Sequence, residues 1–172
     1  MRRYGAGESK SAGLRACAAV LAVLTFGAIS AARAAETPSF PYFSSVRSDT
    51  VNMREGPSAE HKVKWVYHHR GLPLEIIAAY DVWRQIRDRD GETGWIHVSM
   101  LSRERTAVLI GDGDMAVREG EDGASAVIAN AQPGAIGRLE TCTAIACRLA
   151  FGTVKGWVNR ALLWGIHDNE TF

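Results

Sequence analysis

Net charge is nearly absent from this sequence, in which 20 Lys and Arg stand against 19 Asp and Glu. Without a basic excess there is little to neutralise a phosphate backbone, so nucleic acid is not an expected partner. Cysteine is scarce, with Cys17, Cys142 and Cys147 alone. No CxxC spacing occurs, and no further cysteine accompanies the last two to build a metal site. GxSxG, HExxH, P-loop and GxGxxG signatures are all missing, which removes the commonest hydrolase, metalloprotease and nucleotide chemistries. Long hydrophobic runs are also missing. The one apolar stretch, Ala16 to Ile29, falls short of the roughly 20 residues that cross a bilayer.

That stretch has a recognisable setting. Arg2, Arg3, Lys10 and Arg15 precede it, and Ala32-Arg33-Ala34 follows it with small residues where a signal peptidase reads. Residues 1–35 therefore have the layout of a cleaved secretory signal peptide, with a retained N-terminal anchor as the alternative. The expected location is the periplasm or the exterior, with no membrane span in the mature form. Cleavage would remove five basic residues but only Glu8, leaving 15 basic and 18 acidic residues and a net charge of −3.

Cys17 would leave with that segment. Cys142 and Cys147 would then be an even pair in an oxidising compartment, which favours one structural disulfide closed across a hairpin turn. So short a loop should add roughly 2 kcal/mol of stability.

The remainder repeats itself. Asn52-Met53-Arg54-Glu55-Gly56 recurs as Ala116-Val117-Arg118-Glu119-Gly120, 64 residues on. Gly71-Leu72-Pro73 returns as Gly134-Ala135-Ile136, and Trp83-Arg84-Gln85-Ile86 aligns with Cys147-Arg148-Leu149-Ala150. Gly94-Trp95-Ile96 returns as Gly156-Trp157-Val158, 62 residues on. Blocks in one order with small drifts indicate duplication of a small domain. Ser102 to Asp114 reads as a short charged linker between the copies.

Each copy reads as short strands. Thr50 to Arg54, Val63 to Tyr67 and Trp83 to Arg87 alternate, whereas Leu74 to Ala78 is a more continuous apolar run suited to a strand covered on both faces. Asp90-Gly91 signals a hairpin whose return strand is Gly94 to His97. One helical turn is expected at Val98 to Leu101 and another at Arg160 to Leu163. Frequent turn residues between brief strands indicate a small all-β barrel or sandwich.

Val51-Asn52-Met53-Arg54-Glu55-Gly56-Pro57 resembles the N-x-R-x-G-P opening of bacterial SH3-like (SH3b) domains, and Gly94-Trp95-Ile96 followed by Leu101 resembles their close. The resemblance covers residues 46–103 well and 108–165 more weakly, leaving 166–172 as a tail. It implies two tandem SH3-like β-barrels, each of five strands in two roughly orthogonal sheets. It also implies non-enzymatic modules of the cell envelope, several of them attached to peptidoglycan hydrolases.

Candidate ligand-binding residues concentrate in the first copy: Arg54, Trp65, Tyr67, Tyr80 and Trp83. Amphipathic aromatics can line a groove for peptides or sugars, or can fill a core. In the second copy Ala129 and Ala131 stand for Trp65 and Tyr67, and Trp157 is the aromatic retained at an equivalent position. Trp95 and Trp157 are expected in the cores. Arg54 and Arg118 could grip a carboxylate or tie a loop to a strand. Gly56 and Gly120 are expected to serve a positive φ or a close approach, and Gly94 and Gly156 belong to the closing motif. His68-His69 does not suit one metal ion, since adjacent strand residues face opposite ways. Asp88 to Glu92 and Asp112 to Asp114 read as turns rather than calcium loops.

No catalytic residue, metal or cofactor is expected. The preferred function is binding of peptidoglycan or a peptide through the aromatic face of the first copy. The alternatives are an adaptor for another envelope protein such as a cell-wall hydrolase, and a small enzyme of unfamiliar type.

Overall fold

A computed structural model describes residues 39–172. The expected signal peptide lies outside the described residues. The rest is all-β, in two seven-stranded sheets. The first contains β1 (Tyr42–Val46), β2 (Val51–Arg54), β3 (Val63–Tyr67), β4 (Pro73–Tyr80), β5 (Trp83–Arg87), β6 (Thr93–His97) and β7 (Leu101–Ser102). The second contains β8 (Thr106–Leu109), β9 (Met115–Arg118), β10 (Val127–Ala131), β11 (Ile136–Cys142), β12 (Ala146–Phe151), β13 (Val154–Asn159) and β14 (Leu163–Trp164). The orders β3-β2-β6-β5-β4-β1-β7 and β10-β9-β13-β12-β11-β8-β14 are the same, so the duplication seen in sequence is a duplication of topology.

Two expectations change here. The five strands implied by the resemblance become seven, because β1 and β7, with their counterparts β8 and β14, pair along one side. Among the described residues hydrogen bonds do not close either barrel, since β3 and β7, like β10 and β14, remain sheet edges. The supposed linker Ser102 to Asp114 also contains β8, whose four residues are all buried. A chain that pairs β8 with both β11 and β14 cannot be a free connection.

Alternation fills each core. Ile76, Ile86 and Ile96 have no exposed surface and pack with Val51, Met53 and Leu74. Leu109, Val117, Leu149 and Val158 do the same in the second domain. Each such aliphatic side chain contributes roughly 1.5–3 kcal/mol through burial. Trp95 and Trp157 do not join the cores. Gly94 and Ile96 point inward, so pleating turns Trp95 outward, and Gly156 and Val158 do the same to Trp157.

The inward glycines have a shared reason. A Cβ on Gly94 would lie 2.5 Å from Met53 Cγ and 2.9 Å from Arg54 O. On Gly156 it would lie 2.5 Å from Val117 Cγ1 and 2.7 Å from Arg118 O. Here the two strands cross too closely for any side chain.

Strand register corrects one alignment. Trp83 faces His97, and Ala146 faces Asn159, so Ala146 rather than Cys147 occupies the place of Trp83. Cys142 and Cys147 are joined by a disulfide across the end of the β11–β12 hairpin. The expected helical turns are 3₁₀ turns at Val98–Met100 and Arg160–Leu162, capped by the side chains of His97 and Asn159.

The domains pack together. Phe43 meets Trp164 edge to face at 5.4 Å, and its ring also lies 4.7 Å from that of His167. Residues 166–172 are pinned to the second domain. Arg105 pairs with Glu170 and donates to Gly165 O at 2.9 Å, while Cys142 N donates to Phe172 O at 2.9 Å.

Candidate functional site

Between the domains lies a groove of about 430 Å³. Its first wall comes from β3, which contributes Trp65 and Tyr67, with His69 just beyond the strand. Met53 faces Trp65 across the β2–β3 ladder, and facing residues project to the same side of a sheet. Trp65 is therefore an inward-side residue, but it stands on an unclosed edge and overhangs the core, leaving it 60% exposed. Leu72 and Pro73 continue this wall, and Val108, Ile136 and Trp164 of the second domain complete the apolar lining.

The β5–β6 turn supplies a polar rim of Asp88, Arg89, Asp90 and Glu92. Asp88 Oδ1 accepts from the backbone N–H groups of Asp90 and Glu92 at 3.1 and 2.9 Å, and its Oδ2 accepts the Tyr67 hydroxyl at 2.9 Å. Burial of Tyr67, then its hydrogen bond to Asp88 and the adjacent carboxylates, push its phenol well above the ordinary value of 10.0. It stays protonated and acts as a donor. Glu92 is paired with Lys64 at 2.8 Å.

The five candidate ligand residues do not form one site. Trp65 and Tyr67 share the groove, although the Tyr67 hydroxyl is committed to Asp88 and the residue is only 5% exposed. Arg54 and Trp83 border a separate cleft of about 300 Å³ with His97, whose ring Trp83 meets edge to face at 5.4 Å. Tyr80, the cross-strand partner of Trp83, is 64% exposed and lines neither.

Arg54 Nη1 donates to His61 O at 2.7 Å, and Arg118 Nη1 donates to Ser125 O at the same distance. Both arginines clasp the loop that follows their strand, so the tying role is the one visible in each copy. Gly56 and Gly120 lie inside these loops. Close approach is what they serve: a Cβ on Gly56 would sit 2.4 Å from the His61 ring, and one on Gly120 would sit 3.2 Å from Ser125 Cβ. Arg118 and Trp157 border a cleft of about 290 Å³ at the corresponding place in the second domain.

A profile of the bacterial SH3 domain matches the sequence twice, over residues 47–103 and 112–165. The chain belongs to the bacterial SH3 domain family. Such SH3 domains are in general binding modules of cell-envelope proteins. No curated protein matches the chain significantly. Among solved structures, NlpC1 from Trichomonas vaginalis is 9% identical with a TM-score of 0.34, over 76% of this chain and 48% of that one. NlpC2 from the same organism is 10% identical with a TM-score of 0.34, over 74% of this chain and 49% of that one. The chain thus spans about half the length of these structures.

Sequence reasoning missed the contribution of the second SH3 domain. Trp164 occupies the register position of Ser102 in the first, since Trp164 faces Val108 as Ser102 faces Ser45. A tryptophan gained just beyond the closing motif was the available signal. The acidic turn was read only as a hairpin, because its proximity to Tyr67 is set by pairing across the sheet.

Proposed function

We propose that this is an exported, non-catalytic binding protein of the cell envelope, and that the groove between its SH3 domains takes peptidoglycan or a peptide. The carrying observation is Trp65: a large aromatic, mostly exposed, that overhangs an apolar groove built by both domains. Rigid aromatics with one open face suit peptide and sugar ligands. The titratable groups around it hold structure, with Asp88 bonded to Tyr67 and its own turn, and Glu92 to Lys64. The layout of residues 1–35 supports delivery to the periplasm or the exterior.

Co-sedimentation of the mature protein with isolated peptidoglycan tests this reading, with Trp65→Ala and Trp83→Ala as variants. Wild-type binding that Trp65→Ala abolishes and Trp83→Ala preserves supports the groove. A wild type that stays in the supernatant removes peptidoglycan as the ligand.

A second reading, an adaptor for another envelope protein such as a cell-wall hydrolase, draws on a different surface. Tyr80, Val82 and Val98 are exposed around the β4–β5 turn, and Val98 N donates to Val82 O at 2.8 Å, placing these apolar side chains together. Crosslinking from position 80 in the envelope would reveal such a partner.

A further inference from the structure

Resting on the reading that the groove binds a ligand, we propose how it does so: an extended peptide adds as a strand to the free edge of β3, with basic side chains directed into the groove. β3 is the terminal strand of its sheet, paired on one side only with β2. Among the described residues the backbone groups on its other side have no strand partner, and such an edge is a template for an incoming strand. Proteins usually protect exposed edges with charge; Lys64 does so on the side away from the groove, whereas Val63 and Trp65 on the groove side are 44% and 60% exposed. The edge also opens on the groove, because Trp65 and Tyr67 line it. An added strand would therefore lie along the groove and bury Trp65.

Charge selects the occupant. On the groove side the rim carries three carboxylates, Asp88, Asp90 and Glu92, against Arg89, which lies 3.5 Å from Asp90, and Lys64, which pairs with Glu92 at 2.8 Å, so one negative charge is left over, nearest Asp88 and Asp90. A lysine or arginine directed there gains the carboxylates and the face of Trp65 together. Lys64 lies on the other side of β3 and is already held by Glu92 at 2.8 Å and by Thr93 O at 2.9 Å. An alternating peptide, basic toward the groove and uncharged toward Lys64, fits both faces. A second copy pairing through its own β3 would gather Lys62, Lys64 and Arg70 of both copies along one seam, so self-association is disfavoured.

The probe is a capped heptapeptide, Thr-Val-Lys-Val-Lys-Val-Thr, titrated into the isotopically labelled mature protein. Three further peptides carry Glu for Lys, or N-methyl groups on one or the other alternate set of amides. Strand addition predicts shifts and slowed amide exchange in residues 63–67, at least tenfold weaker binding of the Glu peptide, and at least tenfold weaker binding of one N-methylated set. Equal binding of both N-methylated sets overturns strand addition, as does absence of heptapeptide binding, shifts confined elsewhere, or dimerisation through β3. Co-sedimentation with peptidoglycan, run in parallel, separates the two claims. Retained Trp65-dependent sedimentation without heptapeptide binding overturns strand addition alone; loss of both overturns the groove as well.

Discussion

Thr106 Oγ1 donates a 2.6 Å hydrogen bond to the carbonyl oxygen of Gly71, joining the first strand of the second SH3 domain to the turn before β4 in the first. Gly71 has φ +81°, a conformation that suits glycine. Its N–H donates to Val46 O at 2.8 Å, so the turn is held from both sides. Leu72 and Pro73, the next residues, line the groove.

Replacing Thr106 with Val removes this bond while keeping the shape. The expected cost is about 1–2 kcal/mol, because Gly71 O loses its partner inside the interface. Chemical denaturation measures it. Faster amide exchange in residues 71–73 is expected alongside, and an unchanged exchange pattern would show that the bond does not hold the turn.

The Tyr67–Asp88 bond makes a pH-dependent prediction. Tyr67 holds its proton more tightly folded than unfolded, so the associated stability is fully present below the ordinary value of 10.0 and is lost as pH rises above it. Tyr67→Phe is expected to cost about 1.5 kcal/mol at pH 7, in the range for a hydrogen bond to a charged group. It is also expected to flatten the alkaline loss seen in the wild type. Urea denaturation of both proteins at neutral and alkaline pH decides it.

Gly94→Ala and Gly156→Ala force a methyl group against a neighbouring side chain and a backbone carbonyl at under 3.0 Å. Overpacking of this kind costs about 1–3 kcal/mol or more. Each variant is expected to lower the melting temperature, whereas Gly91→Ala, with open space around it, meets only the strain of its φ of +86°. Thermal unfolding followed by circular dichroism ranks the three.

Glu170 carries the acid-side prediction. Burial acts to raise its pKa, but the hydrogen bond from Arg105, the His167 backbone N–H and the nearby positive charge outweigh it and hold the carboxyl below its ordinary value of 4.5. Its contribution is therefore present above that value and lost as pH falls through the folded-state pKa. Glu170→Gln is expected to destabilise at pH 7 and to lose less stability than wild type on acidification to pH 3. Parallel slopes for the two proteins would show that the Arg105 pair does not anchor the tail.

Much of a single domain was legible in the residues themselves. Val51 and Met53, alternating before Arg54, did form a strand with both apolar side chains inward. Asp90-Gly91 did turn a hairpin, and Gly91 takes φ +86° there. Cys142 and Cys147 did pair. Trp95 and Trp157 misled, since a place on a strand that must pack suggested burial while the glycine beside each had already taken the inward place. β1 and β8 were overlooked because neither carries a turn signal or an alternation, and Ser44 and Ser45 are buried polar residues whose hydroxyls donate to Ser102 O and Glu104 O.

Periodicity, turn residues and repeat spacing act within a few residues or between identical copies. They determined an all-β chain, its duplication and the closing glycine motif in each copy. Tertiary structure decided which sheet edges stay unpaired, how β8 joins the two domains and which side chains meet across the gap. Trp65 and Trp164 lie almost a hundred residues apart, and nothing local to either specifies the other. Their shared groove exists because burial of Phe43, Pro73 and Thr106 between the domains sets one sheet against the other.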